Sequence, residues 1–259
     1  MQWHALPWQN HAEGYRIEIG EGWTQGRTLY GGLVGALAAA LVRQVTPRAV
    51  RAMHCSFIGP LSPGVVEGRA HIKREGKNVS FVEVQLEQQG KIGSHFMFVC
   101  SDGRDSRAKV AAPPAPSWND PESYRPLPRF PGAPEFTQNV DFRFTEGGLP
   151  FQGGDDARFG AYVRMREAPE VSSTEWQLAM LDAFPAPTLA LLDRPAPASS
   201  VNWSAQFIAP SSLAKGHGYH MFRYETVATS AGFSTVMGHL WDPEGNYVAF
   251  TEQSALVFD

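Results

Sequence analysis

The stretch LVGALAAALVRQV at residues 33–45 predicts a buried helix. Its Ala and Leu content favours a helix over a strand. Apolar residues occur on nearly every side of the helix, which is typical of a helix that is covered on several faces. Gly31 and Gly32 precede the stretch, so the helix is expected to begin at Gly31, and Pro47 stops it after Val45.

Segments of alternating apolar and polar residues surround this helix. A period of two is typical of strands in a sheet with one dry and one wet face. The sequences EGKN at 75–78 and QG at 89–90 separate neighbouring segments and predict hairpin turns, so we expect an antiparallel sheet. The predicted strands are 15–19, 53–57, 66–73, 82–87 and 92–100.

The second half of the chain repeats this order of strand, helix and four strands, with one additional strand before its helix. Ser173 or Thr174 can cap a second helix, which is expected to run to about Phe184. FIGP at 57–60 recurs as FIAP at 207–210, after each helix. We interpret the two halves as an internal duplication, with two unrelated α+β halves as the alternative. The predicted strands are 140–144, 159–165, 199–208, 217–228, 232–241 and 246–258.

Composition restricts the class of protein. The 259 residues are 43% apolar and 19% charged, as expected of a folded globular chain. A net charge of −4 argues against a protein that grips nucleic acid by bulk charge. Cys55 and Cys100 cannot form a disulfide framework, which favours a reducing compartment. The first residues lack the features of a signal peptide, and the apolar run 33–42 is too short for a membrane span, so we expect a cytoplasmic protein.

A sheet that curls around each helix would cover it, and two such sheets can join edge to edge. Eight prolines between Pro113 and Pro134 predict an extended linker between the two units. The fold class is therefore α+β, with two antiparallel sheets, each wrapped around a central helix and joined edge to edge.

This arrangement resembles the double hotdog of the acyl-CoA thioesterase II family. The resemblance rests on the Gly31-Gly32 helix start, on SVNWSAQF at 200–207 and on VAFTEQSA at 248–255. It implies an N-terminal hotdog at 1–110, a Pro-rich linker at 111–136 and a C-terminal hotdog at 137–259.

The resemblance also implies a catalytic set in the second hotdog. Thioesterases of this family use a carboxylate late in the helix, a hydroxyl and a glutamine. The matching positions here are Asp182, Ser200 and Gln253, and Ser199 takes the place of Ser200 if the register slips by one. The family motif Thr-Ile-Asp-His-Ser reads Ser-Val-Asn-Trp-Ser at 200–204, so Ser replaces Thr and Asn-Trp replaces Asp-His.

The residue types suit thioester hydrolysis. A carboxylate in apolar surroundings has a raised pKa and can act as general base on a water molecule, which Ser200 and Gln253 could hold. The Gly31 and Gly32 N–H groups at the helix start could bind the substrate's oxyanion; packing of the helix on the sheet is the structural alternative. A solvent-facing stripe for Asp182 and ordinary core packing for Gln253 also remain open.

Alternation along the strand puts Ser200 on one face with Asn202, Ser204 and Gln206. The sequence does not decide which face of the sheet these polar residues occupy. They either face solvent or bring Ser200 to the rim of the groove.

The resemblance implies an acyl-CoA thioesterase of lipid metabolism, with acyl-CoA as its partner and neither cofactor nor metal. The acyl chain is expected in an apolar groove beside the second helix. His217 and His220 have the spacing of metal ligands, but no third ligand is evident. The alternative function is a non-catalytic acyl-CoA or acyl-chain binding protein on the same fold. No nucleic-acid partner and no membrane span are expected, and association into a homo-oligomer is left open.

Overall fold

The computed structural model describes residue 3 and residues 6–129, 132–170, 172–208 and 215–258. These residues form two helices, α1 (Gly31–Val45) and α2 (Thr174–Leu181), and fourteen strands. The strands before the Pro-rich segment are β1 (Gln9–His11), β2 (Gly14–Ile19), β3 (Thr24–Gln25), β4 (Thr28–Leu29), β5 (Val50–Phe57), β6 (Gly64–Glu75), β7 (Val79–Gln88) and β8 (Lys91–Ser101). Those after it are β9 (Val140–Gly147), β10 (Arg158–Met165), β11 (Ala198–Phe207), β12 (His220–Ser230), β13 (Phe233–Trp241) and β14 (Tyr247–Val257).

Twelve of these strands form one continuous antiparallel sheet. Their order is β1-β2-β6-β7-β8-β5-β11-β14-β13-β12-β10-β9, while β3 and β4 pair as a separate ribbon. The first six strands in this order precede the Pro-rich segment and the last six follow it. The two groups meet where β5 pairs with β11, from Ser56 opposite Asn202 to Ala52 opposite Gln206. Joining the edges in this way gives each of the two central strands a partner on both sides.

Helix α1 is buried from Gly32 to Val42, as its apolar sequence predicts. The two helices pack antiparallel, because Gly31 at the start of α1 lies beside Asp182 at the end of α2, while Arg43 near the other end of α1 pairs with Glu175 over 2.6 Å.

Helix α2 is shorter than predicted. The Ser173 side chain caps it by accepting from the Trp176 N–H over 3.3 Å. The helix ends at Leu181 rather than near Phe184, because Asp182 leaves the helical conformation (φ −105°, ψ 9°) and the Ala183 N–H turns back to the Met180 carbonyl over 3.2 Å. The carboxylate therefore sits on the turn that follows the helix.

The Pro-rich segment is extended, but it is not a free spacer. It packs on the outer face of the second half, where its backbone accepts hydrogen bonds from Trp241 Nε1 (to Pro113, 2.9 Å) and from the Tyr162 hydroxyl (to Asn119, 3.0 Å). We call residues 113–129 the strap. Residues 130 and 131 of the predicted linker, and the last two residues of the predicted repeat at 207–210, lie outside the described residues.

Cys55 and Cys100 are free and buried. Within the described ranges, no helix is long and apolar enough to cross a membrane.

Candidate functional site

Three predicted site residues form a continuous hydrogen-bonded chain. The Ser200 hydroxyl donates to Oε1 of Gln253 over 2.6 Å, and Nε2 of Gln253 donates to Oδ1 of Asp182 over 2.7 Å. Gln253 is only 4% exposed, so both ends of its amide require partners and find them here. The structure thus brings together a hydroxyl, an amide and a carboxylate that lie as much as 71 residues apart in sequence.

A β-bulge turns Ser200 toward this chain. In the pairing of β11 with β14, Ser200 lies opposite Ala255, but Asn202 lies opposite Ser254, so Val201 is an extra residue. An extra residue reverses the alternation of side chains on either side of it. The predicted sharing of one face by Ser200, Asn202 and the polar residues that follow is therefore wrong.

Ser200 points inward with the buried Trp203 side chain, whereas Asn202 is exposed. Ser199 is exposed as well and makes no contact with Gln253: its hydroxyl donates to the backbone carbonyl of Ser200 over 3.4 Å. Of the two candidate hydroxyls, Ser200 is the one that reaches Gln253.

Asp182 is enclosed by protein except where it borders a cavity. Burial raises its pKa to about 7, although the hydrogen bonds from Gln253 and from the backbone N–H of Gly32 favour the ionised form and lower it. The charge on Asp182 contributes to raising the pKa of the buried Tyr30 and Tyr224 hydroxyls, after burial itself, which is the larger cause. Asp182 therefore does not lie on a solvent-facing stripe, and it can lose or gain a proton near neutral pH.

The two glycines at the start of α1 lie against this carboxylate. A Cβ on Gly31 would stand 2.6 Å from Oδ2 of Asp182, and a Cβ on Gly32 would stand 2.4 Å from the Tyr30 ring. The Tyr30 hydroxyl in turn donates to the backbone carbonyl of Ala179 in α2. Gly31 lines the cavity, whereas Gly32 turns its N–H to Asp182. Contact of either glycine with a substrate stays a prediction.

A cavity of about 380 Å³ opens beside Asp182. Its walls come from the β3–β4 turn, the first turns of α1, the end of β5 with the loop after it, and the start of β11. The predicted groove beside the second helix differs from this cavity, which lies at the junction of the two halves and takes only Asp182 from the region of α2. The residues missed by sequence reasoning include Gln25, Thr28, Phe57 and Leu61. For Phe57, the recurrence of FIGP at 57–60 is the sequence signal that could have identified it.

In the part of the chain that the structure describes, no group of three or more His, Cys, Asp or Glu residues could hold a metal ion. The His220 ring faces the backbone carbonyls of Lys215 and Gly218, and burial lowers its pKa to about 4. It is therefore a neutral core side chain at physiological pH.

Sequence comparison identifies two matching family models. The model described as the acyl-CoA thioesterase N-terminal domain matches residues 19–103, and that described as the acyl-CoA thioesterase C-terminal domain matches residues 112–257. No curated protein matches the sequence significantly.

Solved structures share the fold over almost the whole chain. A protein of unknown function with a hotdog fold from Alicyclobacillus acidocaldarius superposes with a TM-score of 0.86 at 18% identity, covering 99% of this chain and 97% of the other. The tesB protein of Mycobacterium avium subspecies paratuberculosis gives 0.81 at 15% identity, covering 98% and 97%. The acyl-CoA thioesterase II TesB2 of Mycobacterium marinum gives 0.78 at 14% identity, again covering 98% and 97%. These likenesses establish a hotdog fold.

Proposed function

The chain belongs to the acyl-CoA thioesterase II family, and on that premise we propose that it hydrolyses an acyl-CoA thioester to a free acid and CoA. We further propose that the fold is a double hotdog, with units at 1–110 and 137–259 and a linker at 111–136. The division of the twelve-stranded sheet into two groups of six, each with one helix, supports this view.

One observation carries the proposed activity: the Ser200–Gln253–Asp182 chain ends on a carboxylate whose pKa is about 7 and which borders a cavity. A base is most effective when its pKa lies near the operating pH, because it is then both ionised and able to take a proton. Gln253 occupies Oδ1 of Asp182, and Oδ2 lies next to the cavity residue Gly31. Oδ2 is therefore the oxygen that we assign to proton transfer.

The reaction would proceed through a water molecule between Asp182 and the thioester. The water oxygen bonds to the carbonyl carbon as Asp182 takes one of its protons, and the carbonyl π electrons move onto oxygen. The C–S bond then breaks, the carbonyl re-forms, and the leaving thiolate takes the proton back from Asp182. Since the Ser200 hydroxyl hydrogen is directed to Gln253, the Ser200 oxygen remains able to accept a hydrogen bond from the attacking water.

Backbone N–H groups at the start of α1 would stabilise the oxyanion. The first N–H groups of a helix have no partner within the helix and carry partial positive charge. The Gly32 N–H is directed to Asp182, which leaves Gly31, a cavity residue, as the proposed donor. The absence of a side chain at Gly31 supports this role, because the backbone can approach a substrate closely.

A cytoplasmic location and a place in lipid metabolism stay predictions from the sequence.

The departures from the family motif do not favour the non-catalytic alternative. Asn202 faces away from the cavity, and Trp203 lies in the core, where its Nε1 donates to Thr251 over 2.7 Å. Neither side chain therefore lies where it could take part in the reaction at Asp182.

Release of free thiol, followed with DTNB, tests the proposal. Acyl-CoAs from acetyl to palmitoyl, with phenylacetyl and benzoyl, are offered to the wild type, to Asp182→Asn and to the exposed control Asp105→Asn. We expect turnover by the wild type and the control, and a loss of about 100-fold or more in Asp182→Asn. Undiminished turnover in Asp182→Asn would discard the site, whereas saturable acyl-CoA binding without any thiol release would identify a binding protein.

A further inference from the structure

Tyr30 stands immediately before α1 and connects the start of that helix to the end of α2. Its hydroxyl donates a hydrogen bond to the backbone carbonyl of Ala179, three residues before Asp182. Its own backbone carbonyl accepts from the Val34 N–H over 3.1 Å and so opens α1. The residue is completely buried. One residue therefore holds both sides of the contact at which the start of α1 meets the Asp182 carboxylate.

The Tyr30 hydroxyl takes the place of a backbone donor at the end of α2. If the helix continued, the Ala183 N–H would donate to the carbonyl of Ala179, four residues earlier. It donates instead to Met180 over 3.2 Å, while the Tyr30 hydroxyl donates to Ala179. Carbonyls in the last turn of a helix need such partners from outside the helix. Tyr30 thus favours the helix end that leaves Asp182 on a turn.

Packing fixes the Tyr30 ring in this position. The ring stacks on Phe136 with centroids 4.0 Å apart and an interplanar angle of 8°. It also packs against Gly32, where an added Cβ would overlap the ring. The segment that carries Phe136 is tied to the residues before α1, since Oε2 of Glu135 accepts from Oγ1 of Thr24 over 2.8 Å. The direction of the hydroxyl is therefore set by closely packed neighbours.

The protonation of Asp182 depends on burial and hydrogen bonds rather than on neighbouring charges. Among the described residues, the titratable groups that face it are Tyr30, Cys55 and Tyr224, and burial raises the pKa of each, so all three are neutral at physiological pH. Burial also raises the pKa of Asp182, and two hydrogen bonds lower it, one of them from the Gly32 N–H. That bond joins α1 to the end of α2, so it depends on how the two helix ends are held.

We propose that Tyr30 is a positioning residue of the site: by holding the end of α2 against the start of α1, its hydroxyl keeps the Asp182 carboxylate on the Gly32 N–H and beside the cavity. The inference rests on the proposed thioesterase function. Tyr30 lies outside the set of described residues that line the cavity, so it acts through the two helix ends rather than on the substrate. Loss of its hydroxyl should therefore lower kcat with little effect on KM.

The test compares Tyr30→Phe with two matched variants. Tyr30→Phe removes one hydroxyl and keeps the stacked ring, so the fold should be retained. Tyr162→Phe removes a similar bond, from a tyrosine hydroxyl to the backbone carbonyl of Asn119, on the outer face of the second half. Tyr224→Phe removes a second buried hydroxyl whose pKa responds to the Asp182 charge. The first control measures the loss of a tyrosine–carbonyl bond, and the second the loss of a hydroxyl near the carboxylate.

Two quantities are measured on each protein. Carbon NMR of the carboxyl groups, with Asp182→Asn to assign the signal, gives the pKa of Asp182 without reliance on catalysis. Thiol release, followed with DTNB between about pH 5 and about pH 9, gives kcat and KM on the best wild-type substrate in the series from acetyl- to palmitoyl-CoA. Thermal unfolding shows that each variant is folded.

In Tyr30→Phe, the pKa of Asp182 should rise by about half a pH unit or more, because the bond from Gly32 to the ionised carboxylate is weakened. At neutral pH, kcat should fall by about fivefold or more, while KM should stay within about twofold. Tyr162→Phe and Tyr224→Phe should keep the wild-type pKa and kcat, although each lowers the midpoint of thermal unfolding.

An unchanged pKa of Asp182 in Tyr30→Phe, or an equal shift in Tyr224→Phe, would overturn the inference. A lower unfolding midpoint with unaltered kcat would do the same, because the role of Tyr30 would then be structural alone. If Tyr30→Phe does not fold, Phe136→Leu decides the matter, since it removes the ring stack and should also raise the pKa of Asp182. Failure of the proposed function looks different: no protein releases thiol, whereas the NMR titration still decides whether Tyr30 positions Asp182.

Discussion

The side-chain amide of Gln253 holds Asp182 by a hydrogen bond, and its orientation favours the ionised form of that carboxylate. Nε2 donates to Oδ1 of Asp182 while Oε1 accepts from Ser200, so the amide cannot turn over without placing its oxygen against the carboxylate. That reversed orientation would be unfavourable whenever Asp182 is ionised, because both oxygens are acceptors. The observed orientation therefore stabilises the ionised carboxylate in a site where burial opposes ionisation.

The first prediction concerns the dependence of activity on pH. With its pKa at about 7, Asp182 is mostly protonated in mild acid and mostly ionised in mild alkali. We expect kcat/KM to rise through about pH 7 and then level off, as for a single essential base. The measurement is thiol release between about pH 5 and about pH 9. A flat profile would show that Asp182 is not the base.

Replacement of Gln253 should move this profile. Gln253→Leu removes a hydrogen bond that lowers the pKa of Asp182, so the pKa should rise and the activity curve should shift to higher pH. Activity at neutral pH should fall and recover in part in alkali. The buried Gln177 in α2 offers a control, since its Oε1 has no hydrogen-bond partner among the residues that the structure describes. An identical shift in Gln177→Leu would point to a general disturbance of the helix.

The role of the Ser200 hydroxyl can be tested with the neighbouring Ser199 as the control. Ser200→Ala removes the hydroxyl that contacts Gln253 and is expected to lower kcat by about tenfold, the worth of one well-placed hydrogen bond. Ser199→Ala should change kcat by less than about twofold, because its side chain, although it borders the cavity, is exposed and lies outside the chain of contacts. The reverse order of effects would assign the hydroxyl to Ser199.

A methyl group at Gly31 should disable the site while leaving the fold intact. Gly31→Ala would place Cβ 2.6 Å from Oδ2 of Asp182, so the carboxylate must move. Alanine is otherwise favourable in a helix, so the midpoint of thermal unfolding should fall only by the cost of moving Asp182 and the Phe57 ring, which the new Cβ would approach to 3.2 Å. We expect kcat/KM to fall by about tenfold or more. Gly20→Ala, where the added Cβ meets no atom of the described residues within 4 Å, should remain fully active.

The buried carboxylate should also reduce stability in alkali. Its pKa is about 7 in the folded chain, against an ordinary value of 3.8, so the folded state holds the proton more tightly than the unfolded state. Stability is therefore greatest below about pH 4 with respect to this group and declines as the pH rises to about 7. Asp182→Asn should be more stable than the wild type by about 4 kcal/mol at pH 8.

Urea unfolding of both proteins at several pH values would measure this effect. The difference in the free energy of unfolding should shrink as the pH falls toward about 4. A difference that does not depend on pH would mean that burial of the charge is not its cause.

The sequence predicts much of the architecture because the relevant signals are local. The Ala-rich run before Val45 has one physical solution, burial on several sides, and α1 begins and ends where predicted. The alternating segments become strands β5 to β8 at nearly the predicted positions. The sequence predicts the end of α2 about three residues too far along the chain, because the turn at Asp182 depends on contacts with α1 and the sheet rather than on a local stop signal.

The candidate site was only partly accessible to sequence reasoning. The resemblance to the family located Asp182, Ser200 and Gln253, which the structure brings together. Alternation alone groups Ser200 with Asn202 on one face, which is wrong, since a bulge at Val201 leaves no mark in the pattern of residue types. Sequence reasoning does not reveal this cavity, because its walls come from segments far apart in sequence and only tertiary packing sets their distance; the acyl groove beside the second helix stays a prediction.

The pairing of β5 with β11, the seam between the two halves, also holds the cavity together. The cavity takes Phe57 from one side of that seam and Ser200 from the other. Separating the halves would expose a bare strand edge, which invites aggregation, and would also divide the cavity. Substitutions that loosen the five residue pairs of the seam would thus threaten solubility and chemistry at once. Because both groups of strands belong to one chain, the seam is an intramolecular contact that dilution cannot break.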